Sequence, residues 1–127
     1  MTLNTHLKID TALCGSVITL SGGYAEVELK TTSVMAVDEA GLVHGGFIFG
    51  AADYAAMAAV NEPTVVLAGS SCRFLAPSKA GDTLLFKASC VENDGKKYRI
   101  TVEAYCGETA VFTGEFKAVV LPAHVLG

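Results

Sequence analysis

Two glycines and one aspartate carry the first chemical signal in this sequence. Gly45 and Gly46 follow His44 at the start of the run HGGFIFGAADYAAMAAVN, and Asp53 is its only acidic side chain. If the run is a helix, its first backbone N–H groups lack partners inside it, and two glycines leave no Cβ over them. The macrodipole makes that end positive. A carbonyl oxygen gaining negative charge there would be stabilised as in an oxyanion hole. A carboxylate in an apolar run is costly to bury unless it is paired or used. As general base or nucleophile toward an activated carbonyl, Asp53 would be used. Plainer roles stand beside these. Asp53 could leave through one polar gap or bind a backbone N–H of a second subunit. His44 could simply cap the helix, and the glycines could serve only tight packing.

The elements that must position these residues are legible from pattern. His44 to Asn61 has no strand alternation, is rich in Ala, and has Pro63 just beyond it. Apolar side chains fill nearly its whole circumference, which predicts a helix buried on most sides. Gly45, Gly46 and Gly50 each weaken a helix by about 1 kcal/mol relative to Ala, so something else must favour them, such as close backbone approach by a ligand or a neighbouring strand. Ser16–Leu20 and Tyr24–Lys30 flank Ser21-Gly22-Gly23 and predict a hairpin. After Pro63 four strands are expected: Thr64–Leu75, Thr83–Glu92, one carrying Tyr98, Ile100, Val102 and Ala104 on one face, and one carrying Ala110, Phe112, Gly114, Phe116 and Ala118. Asn93-Asp94-Gly95 and Gly107-Glu108 supply the turns. The first fifteen residues predict an arm or a short helix. One apolar helix can be covered on most sides only if the sheet curls round it. The fold class is therefore α+β, a single domain over residues 1–127.

Composition bounds the function. With 127 residues, 51% hydrophobic and 17% charged, a monomer would expose much apolar surface, so subunit association is expected. The formal charge of -4, with scattered Lys and Arg, argues against nucleic acid as a partner. No apolar stretch is long enough to cross a bilayer, so no membrane partner is expected. Asn4, His6, Lys8 and Asp10 interrupt any secretory signal pattern. Cys14, Cys72, Cys90 and Cys106 form no C-x-x-C pair or metal-like spacing, which predicts reduced thiols, no metal and a cytoplasmic location.

His44-Gly45-Gly46, six residues, then Asp53 resembles the H-G-G…D signature of hotdog-fold acyl-CoA thioesterases of the phenylacetic-acid-pathway and 4-hydroxybenzoyl-CoA type. Arg73-Phe74-Leu75-Ala76-Pro77 and Gly81-Asp82 are similar to the same family's strand and turn. The resemblance covers roughly Gly41 to Leu121. It implies one long helix wrapped by a curved antiparallel sheet of five to six strands. It also implies a homodimer, with a dimer of dimers as the next level, and two sites at the interface. Gly45 and Gly46 would polarise the thioester carbonyl, Asp53 of the other subunit would attack or act as base, and His44 would position substrate. Coenzyme A would be part of the substrate, and no cofactor is implied. Gly41 matches the family's N-x-x-G-x-x-H-G-G, but Asp38 stands where Asn is usual. Tyr105 through Phe116 also resembles the acyl-CoA-sensing hotdog domain of a fatty-acid-synthesis repressor, which makes a binding-only protein the rival reading.

Within an acyl-CoA reading, cations near the site mouth would hold the nucleotide phosphates, and Arg73, Lys79 and Lys96 are candidates. The plainer reading of each, an ordinary solvated charge, takes precedence. Ser70 and Ser71 could bond phosphate or pantetheine. Tyr54 and Met57 could line the acyl pocket or only pack against the sheet.

Overall fold

A computed structural model describes residues 1–127. The single-turn helix α1 (Thr11–Cys14) leads into β1 (Ser16–Ser21) and β2 (Tyr24–Lys30). After a 3-10 turn at Ser33–Met35 comes the long helix α2 (Gly45–Val60). Then follow β3 (Val65–Phe74), β4 (Thr83–Asp94), β5 (Lys97–Cys106) and β6 (Thr109–Val120). All neighbours are antiparallel, in the order β1-β2-β4-β5-β6-β3. The chain has the hotdog architecture that the family resemblance implies, with six strands. β1 and β3 are the edges, and α2 touches all six strands, which requires the sheet to curl round it.

The core follows from strand alternation. Ala25, Val27 and Leu29 of β2, Leu84, Phe86 and Ala88 of β4, and Ile100, Val102 and Ala104 of β5 are fully buried. They face Ile48, Ala51, Ala52, Ala55, Ala56, Met57, Ala58 and Ala59 of α2. Small Ala side chains let sheet and helix approach closely. The helix stops at Asn61, which takes a left-handed φ of 55° while its N–H bonds to the Met57 carbonyl.

One sequence expectation fails in β6. Ala110 does not share the inward face of Phe112 and Phe116. It is exposed, and Val111 is buried instead. A bulge between Ala104 and Tyr105 shifts the register by one residue, so Tyr105 pairs with Ala110 and Ala104 with Phe112. Cys72, Cys90 and Cys106 stand half-buried in β3, β4 and β5, and Cys14 ends α1.

The leading arm is ordered against α2. The Asn61 side chain accepts from the Asn4 N–H (2.7 Å) and donates to the Thr2 carbonyl (2.9 Å). His6 stacks on Tyr54 with ring centroids 6.1 Å apart. Asp10 caps α1 by accepting from the Ala12 N–H. Gly15 then turns the chain into β1 at φ 90°. No helix is long and apolar enough to cross a membrane.

Candidate active site

The N-terminus of α2 is presented by a built loop. Asp38 accepts from the Leu42 N–H through its carboxylate (3.2 Å), and its carbonyl accepts from the Gly41 N–H. Gly41 takes φ 87°, a left-handed conformation that favours glycine. The stem of Lys79 packs over Gly41. Lys79 also donates its N–H to the Asp82 carboxylate, while buried Thr31 donates to the Asp82 carbonyl (2.6 Å). Asp38, Gly41, Lys79 and the Gly81-Asp82 turn thus build the loop pair that aims the helix. The next link is the His44 N–H, which donates to the Met35 carbonyl (2.9 Å).

Gly45 and Gly46 have no acceptor for their N–H groups within the chain. Each glycine is needed for a different reason. A Cβ on Gly45 would stand 3.3 Å from the Phe74 ring, and one on Gly46 3.0 Å from Nε2 of His44. The imidazole folds back over the first helical turn, edge-on to Phe47, and makes no capping bond. A recess of about 350 Å³ opens beside this turn between Gly45, Ile48, Phe74 and Pro77. Phe74 is a site neighbour that sequence reasoning did not single out by role, although it falls in the quoted Arg73–Pro77 motif. Gly50 has nothing within 4 Å of a Cβ, so no intrachain contact explains it.

Asp53 is half-buried, and its shielded Oδ1 has no hydrogen-bond partner. Burial pushes its carboxyl up to about 6. Such a group is mostly ionised at neutral pH yet basic enough to take a proton. Gly46, Gly50 and Asp53 lie at helical positions i, i+4 and i+7, on one face. Seven residues of helical rise separate Gly46 from Asp53 by about 10 Å. A carbonyl held at the Gly46 N–H is therefore out of reach of the same chain's Asp53.

The other candidate residues divide by face. Ser71 and Arg73 line a recess on the sheet's outer side with Glu103, Thr113 and Glu115, away from α2. Ser70 is exposed on the edge strand β3. Lys96 sits on the β4–β5 turn. Met57 is fully buried among core side chains, and Tyr54 is buried against His6. No group of three His, Cys, Asp or Glu side chains is arranged to hold a metal.

Curled sheet, buried helix and His-Gly-Gly turn together define a class, and the chain belongs to the thioesterase superfamily, whose family model matches residues 40–113. Among solved structures, an uncharacterized protein of Pyrococcus horikoshii is 51% identical with a TM-score of 0.99, covering 100% of this chain and 98% of its own. The E. coli PaaI protein from the phenylacetic acid degradation operon is 27% identical with a TM-score of 0.78, over 86% of this chain and 85% of its own. Among curated proteins, an Aquifex aeolicus methylthioribose-1-phosphate isomerase is 53% identical over 95% of this chain but only 26% of its own length. The transcription factor FapR of Staphylococcus aureus is 32% identical over 73% of this chain and 50% of its own. The chain thus spans a quarter to a half of these curated relatives.

Proposed function

We propose that this protein hydrolyses an acyl-CoA thioester at a site composed from two copies of the chain. The observation that carries this reading is Asp53, a shielded carboxylate without a partner on the helix face that begins with two free N–H groups. The Gly45 and Gly46 N–H groups of one copy receive the thioester carbonyl oxygen, and Asp53 of a second copy deprotonates the attacking water or attacks directly. On the base route water adds to the carbonyl carbon, the C–S bond breaks, and the CoA thiolate leaves with the proton taken from water. On the nucleophilic route the carboxylate displaces the CoA thiolate to give a mixed anhydride, which water then hydrolyses to free the acid and restore Asp53. The His44 ring, folded over Gly46, holds the ester in place. The free edge of β3 offers main-chain groups through which two sheets could join.

Hydrolysis of a panel of acyl-CoAs by the wild type and Asp53→Ala tests this. The variant is expected to lose turnover by a factor of about 10²–10⁴ while still binding substrate. Equal rates would remove Asp53 from the mechanism. A second reading, an acyl-CoA binder without turnover, is favoured by Asp38 in the usual Asn position and by the likeness to FapR. Its mark is saturable binding of an ester recovered intact.

A further inference from the structure

The fold buries three Ser and Thr side chains, Thr5, Thr31 and Ser78, and two of them are bonded. Thr5 pairs with Nδ1 of His6 at 2.8 Å, while Thr31 donates to the Asp82 carbonyl and accepts from the Gly81 N–H. Ser78, only 3% exposed, is the exception: its shielded Oγ has no hydrogen-bond partner. The loop does not require that hydroxyl, because Thr31 already ties it down and an alanine would fill the position without an unpaired oxygen. A buried hydroxyl without a partner is costly, so its presence calls for a partner from outside the chain.

Its place in the fold says which partner. The Ser78 carbonyl accepts from the Val43 N–H at 2.9 Å, two residues before Gly45, and Ser78 and Gly45 line the same recess of about 350 Å³. Ser78 is the one polar side chain on its wall; the others, Leu42, Ile48 and Phe74 among them, are apolar. The recess thus offers a ligand the unbonded Gly45 N–H at the start of a 16-residue helix, one hydroxyl, and no cationic side chain. Donors without a cation suit a neutral carbonyl whose oxygen gains charge during reaction, rather than a group that arrives as an anion. A serine Oγ turns between staggered positions about a single bond, so a ligand can draw it out without moving the loop.

We infer that the Ser78 hydroxyl is a further donor to the thioester carbonyl oxygen, acting in the same copy as the Gly45 and Gly46 N–H groups. The inference rests on the thioester reading above and adds a side chain to its carbonyl site. The ester is then the partner that the buried hydroxyl lacks within the chain, and the apolar walls of the recess exclude water from the polarised carbonyl.

Calorimetry with two inert probes tests this without turnover. One is the ketone analogue of hexanoyl-CoA, in which a methylene replaces the sulfur; the other is the hexyl thioether of CoA, which has no carbonyl. The wild type should bind the ketone more tightly, and Ser78→Ala should weaken the ketone about tenfold while leaving the thioether unchanged. Thermal unfolding of Ser78→Ala without ligand should match or exceed the wild type, because the variant removes an unpaired buried hydroxyl. A clear loss of stability would mean that the hydroxyl is bonded within the fold, and would overturn the inference. Equal weakening of both probes would put Ser78 on another part of the ligand and overturn it too. If Ser78→Ala binds both probes as the wild type does, and the wild type prefers the ketone, Ser78 has no part in the site while the thioester reading survives. If the wild type binds neither probe, both fall.

Discussion

At the scale of single residues, Asp53 links stability to reactivity. Its folded carboxyl stands at about 6 against an ordinary 3.8, so folding prefers the protonated form. Its favourable contribution is complete below about pH 4 and is lost as pH rises through about 6. Asp53→Asn should therefore stabilise the protein at pH 7 by about 1–2 kcal/mol, allowing for partial exposure, and change little at pH 4. Thermal unfolding at the two pH values checks this. An equal effect at both would show that the carboxylate is not strained by burial. In the same wild-type protein, kcat/KM should fall below about pH 6 as one group takes up a proton, since a general base must be ionised to act. The importance of this Asp was readable in the sequence because it stands alone in an apolar run. The neighbours of Gly45 and Gly46 were not, since Phe74 reaches Gly45 across 29 positions of chain, and only tertiary structure supplies that contact.

Among the elements, the long helix, the hairpin and the later strands were legible because period and turn chemistry agreed. The departure in β6 has a local cause: a bulge inserts one residue, and alternation alone cannot reveal where the phase slips. The leading arm was also beyond pattern. Its order depends on distant partners, Asn61 and Tyr54, and on Gly15. Gly15 combines φ 90° with a Cβ position 2.6 Å from Val27 Cγ1 and 2.9 Å from the Glu28 carbonyl oxygen. Gly15→Ala should cost on the order of 2–4 kcal/mol, through left-handed strain and overpacking. Gly50→Ala, at an open helical position, should instead stabilise an isolated chain by up to about 1 kcal/mol. Chemical denaturation of the two variants separates these effects. Loss of stability in Gly50→Ala that depends on protein concentration would show a second copy packed on that face.

For the whole molecule, the roughly 10 Å of helix between Gly46 and Asp53 decides the architecture of the site. Apolar side chains left exposed at Val34, Val37, Leu42, Phe74 and Leu75 gather at the end of the fold where α2 begins, which agrees with a second copy covering it. Activity per chain should then fall on dilution in parallel with dimer dissociation followed by sedimentation. Constant specific activity across dissociation would contradict a composite site. The most direct measurement is complementation between two disabled proteins, Asp53→Ala and Gly46→Val. Each alone should be inactive. After subunit exchange, half the dimers are mixed and each mixed dimer holds one intact site, so about a quarter of wild-type acyl-CoA hydrolysis should return. No recovery, with mixed dimers present, would contradict the claim that Gly46 and Asp53 act on one thioester from different copies.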